Sequence, residues 1–329
     1  MNFTLNVLGT ASAKPTANRF SSAQVLDIRG RLILIDCGEG AQMRIAGQHL
    51  SYLKIETVCI SHIHGDHIFG LYGLLSTMGL YGRKTPLRVF GPRALGDHLK
   101  FFLSYSGEWI GFNIEFTPVS CKCPEKVMDA GFFEILAFPL KHGIETYGYL
   151  IREKTPPLNV RKESIDKYKL TIAEIAAAKR GEDIFRASGP DCEPSPATDF
   201  KRYSGTDIPL LIPNAEITYI PFSPRSYAYC SDTASFPELA EWVTGVSVLY
   251  HESTYLKSMV ADAIKRGHST AEQAALCARD AKVGKLLLGH YSSRVSDLNE
   301  FLKEARTVFP ESYVTRDGDV IEILYLRNE

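Results

Sequence analysis

The 329-residue chain has almost no net charge, no long apolar run and no CxxC pair. Lys and Arg total 37 against 38 Asp and Glu, so phosphates of a nucleic acid could only meet a local patch or a metal. No apolar stretch approaches the roughly 20 residues that span a bilayer, and Met1–Leu5 is not typical of a signal peptide. The seven cysteines are odd in number and scattered, which is typical of reduced thiols. We therefore expect a cytoplasmic protein with no membrane partner.

Strands and helices alternate along both halves of the chain, which predicts an α/β fold with two sheets covered by helices. In the first half we predict strands at 3–8, 23–28, 31–35, 58–60, 87–90, 114–118, 132–139 and 147–152, and helices at 68–80 and 93–103. In the second half we predict strands at 215–221, 225–230, 246–251 and 285–289, and helices at 236–243, 269–281 and 295–309.

Residues 153–209 have a different composition, with many prolines and charges and few large apolar side chains. Within them, Thr171 and Glu174 have the spacing of a capping box, which predicts a short helix that stops before Gly181. We expect a single domain of residues 1–329 that carries residues 153–209 as a protruding inserted arm.

One short segment concentrates groups that bind metals. Directly after the predicted strand 58–60, His62, His64, Asp66 and His67 fall within six residues, although the chain has only nine histidines. His62 and His64 are two residues apart, so an extended strand end points both to one side. Imidazole and carboxylate groups suit Zn²⁺, and two pairs of donors indicate two adjacent ions.

Three further donors follow predicted strands and are candidates to complete these sites: His142, Asp232 and His290. A carboxylate such as that of Asp232 can bridge two ions, which a histidine cannot readily do. No HExxH motif occurs, because Tyr255 stands where the second histidine would follow His251 and Glu252, so a thermolysin-like site is excluded.

The run His62-Ile63-His64-Gly65-Asp66-His67 resembles the HxHxDH signature of the metallo-β-lactamase superfamily. Within it, the chain is similar to the ribonuclease Z family over nearly its whole length, and segments 251–254 and 267–275 separate it from lactamases and glyoxalases. The resemblance implies a four-layer αβ/βα sandwich of the α+β type. It also implies a homodimeric, zinc-dependent endonuclease that removes the 3′ trailer of precursor tRNA and leaves a 3′-hydroxyl.

The resemblance also implies two zinc ions per subunit. One ion is expected on His62, His64, His142 and Asp232, and the other on Asp66, His67, Asp232 and His290. Family members clamp tRNA with an arm between the positions of His142 and Asp232, usually with a Gly-Pro pair where this chain has Ile172-Ala173.

For the chemistry, we expect Asp66 to orient or deprotonate the attacking water. His268, oriented by Glu252, is the candidate to protonate the leaving oxygen, because acid catalysis by a histidine contributes ~10²–10⁴-fold. Two alternatives remain open. One is a metallo-β-lactamase-fold phosphodiesterase or esterase acting on a small molecule, and the other is a catalytically silent RNA-binding member of the family.

Overall fold

The computed structural model describes residues 2–186, 210–295 and 297–325. The chain divides into two compact units, one of residues 1–153 and 225–324 and the other of residues 154–224 and 325–329. The first unit contains two seven-stranded sheets and nearly all of the buried apolar side chains.

Seven strands form the first sheet: β1 (Phe3–Gly9), β2 (Ala23–Ile28), β3 (Arg31–Cys37), β4 (Ile55–Cys59), β5 (Leu87–Gly91), β6 (Ile114–Pro118) and β18 (Val320–Glu322). Their order is β18-β1-β2-β3-β4-β5-β6. The strands from β3 to β6 are parallel, and each gap in the chain between them holds a helical segment. These segments are α1 (Ala41–Gly47), a 3-10 turn at Tyr52–Lys54, α2 (Gly65–Leu80) and α3 (Arg93–Ile110).

The second sheet contains β7 (Glu125–Asp129), β8 (Phe133–Pro139), β9 (Tyr147–Glu153), β14 (Ser226–Cys230), β15 (Val248–Glu252), β16 (Lys285–Gly289) and β17 (Ser312–Val314). Their order is β17-β16-β15-β14-β9-β8-β7. The helices that follow its strands are α7 (Glu238–Trp242), α8 (Val260–Arg266), α9 (Ala271–Asp280) and α10 (Leu298–Arg306), with a 3-10 turn at Lys257–Met259. Because β9 is antiparallel to both β8 and β14, strands β8, β14, β15 and β16 all end at the same edge.

Three apolar cores separate four layers. The middle core joins the two sheets and includes Leu5, Ile35, Ile135 and Tyr229. A second core lies between the first sheet and α1 to α3, and a third between the second sheet and α7, α9 and α10. This arrangement confirms the predicted four-layer αβ/βα sandwich.

A buried ion pair joins the strands that precede and follow residues 154–224. The guanidinium of Arg225 donates from Nε to Glu153 Oε2 and from Nη2 to Glu153 Oε1, both at 3.0 Å. Arg29 donates a further bond of 3.0 Å to Glu153 Oε1. The end of β9 and the start of β14 are therefore held together by charged groups that solvent does not reach.

The second unit contains β10 (Asn159–Val160), α4 (Lys162–Tyr168), α5 (Ile172–Lys179), β11 (Ile184–Arg186), β12 (Leu210–Ile212), α6 (Asn214–Ile217) and β13 (Thr218–Tyr219). The capping box of Thr171 and Glu174 is confirmed at the start of α5. The strand predicted at 215–221 is wrong in its first residues, because Asn214–Ile217 form a helical turn whose Asn214 side chain donates to Ala178 O and Glu182 O.

The inserted arm at 153–209 stays a prediction, since residues 187–209 lie outside those described. Across the described ranges, no helix combines the length and the apolar character that crossing a membrane requires.

Candidate metal centre

The four clustered donors lie where β4 passes into α2. His62 and His64 follow the end of β4, and Asp66 and His67 occupy the first turn of α2, with His64 as its N-terminal cap residue. His62 and His67 are fully buried, whereas His64 is exposed. The open side of the cluster is therefore at His64.

The three separate donors all come from the second sheet, at the edge where its strands end. His142 follows β8, Asp232 follows β14 and His290 follows β16. His290 has a left-handed backbone with φ of 59°, which turns its side chain at the end of the strand. The structure brings all three beside the clustered four.

The first group contains His62, His64, His142 and Asp232, whose donor atoms all lie within 4.8 Å of one another. Nε2 of His62 is 3.0 Å from Nδ1 of His64 and 3.6 Å from Oδ2 of Asp232. Nε2 of His142 is 3.4 Å from the same His64 nitrogen and 3.8 Å from Asp232 Oδ2. Tetrahedral ligands about 2.1 Å from a zinc ion lie roughly 3.4 Å from one another, so these spacings fit one ion.

The second group contains Asp66, His67 and His290, and Asp232 reaches it with its other oxygen. Oδ1 of Asp232 is 3.5 Å from His67 Nε2 and 3.2 Å from His290 Nε2. Oδ2 of Asp66 is 3.6 Å from His67 Nε2 and 3.5 Å from His290 Nε2. The carboxylate of Asp232 thus offers one oxygen to each group, as a bridging ligand does.

Three buried atoms at the centre lack a hydrogen-bond partner: Nε2 of His67, Nε2 of His290 and Oδ1 of Asp232. A buried polar atom without a partner costs free energy, and a divalent ion satisfies all three at once. The donor set is imidazole and carboxylate, which suits Zn²⁺ and similar ions. The residues present therefore fit a pair of divalent cations.

Hydrogen bonds at Nδ1 of His67, His142 and His290 leave Nε2 of these three rings free to bind a metal. Nδ1 of His67 donates to Asp36 Oδ2 at 2.8 Å, and Nδ1 of His142 donates to the carbonyl of Gly267 at 2.9 Å. Nδ1 of His290 bonds to Oγ1 of Thr254 at 2.9 Å, and that hydroxyl donates to Glu252. Such bonds hold the tautomer and the orientation of a ligand.

Sequence reasoning gave no role to Asp36, which is buried at the end of β3. Its carboxylate accepts hydrogen bonds from Ser61 N at 2.7 Å, Ser61 Oγ at 2.8 Å, His67 Nδ1 at 2.8 Å and Tyr229 Oη at 2.7 Å. Asp36 therefore connects β3, the ligand segment and the second sheet. An acidic residue in an otherwise apolar strand was the only signal in the sequence.

His268 and Glu252 form a hydrogen-bonded pair beside the first group. Nδ1 of His268 donates to Oε1 of Glu252 at 2.8 Å and lies 4.0 Å from Oδ2 of Asp232. The fully buried Glu252 also accepts from the backbone of Thr233, Thr254 and Ser269. Burial alone would lower the pKa of His268, but the charge and hydrogen bond of Glu252 raise it to about 9.

The other histidines lie apart from the two groups. His49 and His98 are exposed. His251 is buried, and its Nδ1 donates to the carbonyl of Glu252 at 2.7 Å.

Around Asp66, burial opposes ionisation, but the charges of His67 and His290 hold the pKa of its carboxyl far below the usual range.

Known proteins resemble this chain at the level of both sequence and fold. Residues 3–111 match the family described as anti-Pycsar protein Apyc1. Ribonuclease Z of Cytophaga hutchinsonii is 38% identical over 318 residues, which are 97% of this chain and 95% of that protein. Ribonuclease Z of Bacteroides thetaiotaomicron is 35% identical over 321 residues, which are 98% of this chain and 95% of that protein.

Among solved structures, the short form of human tRNase Z superimposes with a TM-score of 0.67 at 24% identity, over 98% of this chain and 99% of that one. The metallo-β-lactamase-fold protein YhfI of Bacillus subtilis gives the same TM-score of 0.67 at 18% identity, over 98% of this chain and all of that one. These structures share the fold. Because curated relatives are 35 to 38% identical along nearly the full length, the chain belongs to the ribonuclease Z family.

Proposed function

We propose that this chain is a metal-dependent endoribonuclease that removes the 3′ trailer from precursor tRNA and leaves a 3′-hydroxyl on the tRNA. The observation that carries the proposal is the pair of donor groups sharing Asp232, in a member of the ribonuclease Z family. All seven donors stand together, which disfavours a catalytically silent RNA-binding member.

Zinc is the proposed ion, with two per subunit. The first is assigned to His62, His64, His142 and Asp232, and the second to Asp66, His67, Asp232 and His290. Two such ions would lower the pKa of a water and neutralise charge on the phosphodiester while its leaving oxygen is displaced in line. The donor types and the three partnerless buried atoms support this assignment.

Asp66 is the proposed group that orients the attacking water and accepts its proton. Its Oδ2 atom is held by the backbone N–H of Ala13 at 2.7 Å, so the direction of the carboxylate is determined from outside the ligand cluster. A base must lie within hydrogen-bond reach of the proton that it takes, and the position of Asp66 at the edge of the second group supports that role.

His268 is the proposed proton donor to the leaving 3′-oxygen of the tRNA, which becomes the 3′-hydroxyl, and Glu252 is the residue that positions it. Because Nδ1 of His268 is bound to Glu252, its Nε2 is the nitrogen available to the substrate. His268 lies three residues before α9 begins at Ala271, and its ring centroid is 5.1 Å from that of His142.

Cleavage of a precursor tRNA, with and without a chelator, tests the function. We expect a cut immediately past the discriminator base that the chelator abolishes and added zinc restores, with two ions per chain in the active protein. Hydrolysis of small aryl esters or diesters alone would instead support the small-molecule phosphodiesterase alternative.

A homodimer is the proposed assembly. Support comes from α3, which exposes Phe101, Tyr105 and Trp109 by 69%, 79% and 86%, one helical turn apart. Such an aromatic stripe is costly to leave in water, and a second copy would cover it. Sedimentation velocity should show a dimer that Trp109→Glu weakens and that Lys100→Ala, on the same helix, leaves intact; a monomeric wild type would contradict the proposal.

Two further proposals concern location and substrate contact. The six cysteines that the structure describes are all free thiols, which supports a cytoplasmic location. Cell fractionation should therefore place the protein with cytoplasmic markers.

The arm at 153–209 is the proposed tRNA-binding exosite, so its removal should weaken cleavage of precursor tRNA while hydrolysis of an aryl phosphodiester continues.

A further inference from the structure

The loop of residues 10–20, between β1 and β2, reaches the second donor group. The backbone N–H of Ala13 donates to Oδ2 of Asp66 at 2.7 Å. The same oxygen faces His67 Nε2 at 3.6 Å and His290 Nε2 at 3.5 Å. The loop therefore determines where the proposed base points.

At this contact the loop has an unfavourable backbone. Ala13 has a left-handed φ of 64°, and the N–H of Lys14 donates across it to the carbonyl of Ser12 at 2.8 Å. This is the arrangement of a classic γ-turn, which is rare and strained, and a non-glycine residue keeps it only where surrounding contacts hold the chain.

Asp317 holds both ends of this loop. It lies in the turn between β17 and β18, where the chain passes from the second sheet to the first. Its Oδ1 accepts from Oγ1 of Thr10 at 2.7 Å, and its Oδ2 accepts from the N–H of Phe20 at 2.6 Å. Thr10 is buried, so its hydroxyl has no water to replace the carboxylate.

Among the described residues, no other hydrogen bond of the loop connects both of its ends to that turn, although Arg19 Nη2 donates to Val295 O at 3.4 Å. Ala11 N donates to Phe20 O at 2.9 Å, and Ser12 N donates to Tyr291 O at 3.2 Å. Asp317 is the side chain that ties the two ends to a third segment. Among the residues that the structure describes, the carboxylate of its neighbour Asp319 accepts a hydrogen bond only from the N–H of Arg316 in its own turn.

We propose that Asp317 is a positioning residue for Asp66: by clamping both ends of loop 10–20 it keeps the Ala13 N–H on the Asp66 carboxylate. This inference rests on the proposed function only for the catalytic role of Asp66. The clamp itself consists of hydrogen bonds between atoms of the chain and does not depend on that role.

The test compares four variants with the wild type. Asp317→Ala removes both bonds, and Thr10→Val removes one of them without changing the volume much. Asp317→Asn can still accept from Phe20 N–H and can donate to Thr10 Oγ1, so it should keep both ends of the loop in place. Asp319→Ala removes the same charge from the same turn and serves as the matched control.

Amide hydrogen exchange of the metal-free protein is the first readout. Exchange across residues 10–20 should rise on the order of tenfold in Asp317→Ala and less in Thr10→Val, because lost hydrogen bonds permit local opening. It should stay at the wild-type rate in Asp317→Asn and Asp319→Ala. Unchanged exchange in Asp317→Ala, or in Thr10→Val if the first variant does not fold, overturns the proposal.

Hydrolysis of bis(p-nitrophenyl) phosphate by the zinc-loaded variants is the second readout. We expect kcat to fall by roughly 10- to 100-fold in Asp317→Ala with KM nearly unchanged, as for other groups that orient a metal ligand. Equal losses in Asp319→Ala would show a general effect of the turn and overturn the proposal. If the wild type fails to cut precursor tRNA, the proposed function fails, but the exchange result still decides whether Asp317 holds the loop.

Discussion

The first sheet contributes its four donors from one short segment after β4, whereas the second sheet contributes one donor from the end of each of three strands. The clustered donors depend on a single turn into α2. The separate donors depend on a strand order in which β8, β14 and β16 end at one edge. Asp232 joins the two contributions, because its oxygens face both groups.

Asp232→Asn should disrupt both donor groups at once and give the largest loss of activity. The amide keeps the shape but cannot bridge two cations, so we expect turnover to fall at least about 10³-fold. Metal content measured by inductively coupled plasma mass spectrometry should drop with it. The exposed Asp97→Asn on α3 is the control, and a variant that keeps two ions and full turnover would contradict the bridging role.

Asp66→Ala removes a donor of the clustered side that also has a proposed chemical role. Cleavage of precursor tRNA should be abolished while tRNA binding, measured by gel shift, survives. Retained turnover would refute the assignment of Asp66 as the group that handles the proton of the attacking water.

His268→Ala tests the second-sheet side, where Glu252 ends β15. We expect cleavage of precursor tRNA to fall ~10²–10⁴-fold, because the leaving 3′-oxygen of the tRNA needs a proton. An activated aryl phosphodiester has a good leaving group and should lose much less. Equal losses on the two substrates would argue against a proton donor.

Asp36→Asn tests the clustered donors apart from the separate ones. Asp36 orients His67 of the clustered segment but makes no bond to His142 or His290. We expect the affinity for the more weakly held ion to fall roughly 10- to 100-fold in a chelator competition. Asp27→Asn on β2 is a matched control, since Asp27 bonds only to the N–H of Gly30 in a turn. Identical metal affinities in the two variants would contradict the role of Asp36.

Glu153 lies outside both donor groups, so Glu153→Gln should affect activity least. Burial alone would raise the pKa of Glu153, but its bonds from Arg225 and Arg29 hold that pKa below its usual value. The stabilisation is therefore complete above the ordinary pKa of glutamate and is lost as the pH falls through the lower folded value. Urea unfolding should show a loss of about 3 kcal/mol at pH 7 that shrinks below about pH 4. A loss independent of pH would show that ionisation of Glu153 contributes nothing.

The clustered donors could be predicted because they are local: four metal-binding side chains in six residues stand out in any composition. The separate donors could be named because each follows a predicted strand, and parallel strand ends share an edge. The role of Asp36 could not be predicted from the sequence. It depends on hydrogen bonds to Ser61, His67 and Tyr229, which come together only in the folded sandwich.

Sequence patterns also misplace the start of a helix where a polar side chain bonds to a group that is distant in the sequence. The helix predicted from 269 begins at Ala271, because Thr270 forms the capping box with Gln273, while Ser269 donates to Glu252 and to Thr233 O. The helix predicted at 295–309 is shorter, Leu298–Arg306, and is capped by Asp297. In both cases a polar side chain, rather than the apolar period, sets the boundary.

The separation of the donors along the chain has a consequence for synthesis on the ribosome. His67 leaves the ribosome roughly 220 residues before His290, a delay of roughly 10 to 45 s at the usual 5–20 residues per second. The first group has all of its donors once Asp232 is made, whereas Asp66 and His67 of the second group wait for His290 throughout that time. The two groups therefore become complete in a fixed order during synthesis, and the group that contains the proposed base Asp66 is the last that can bind a cation.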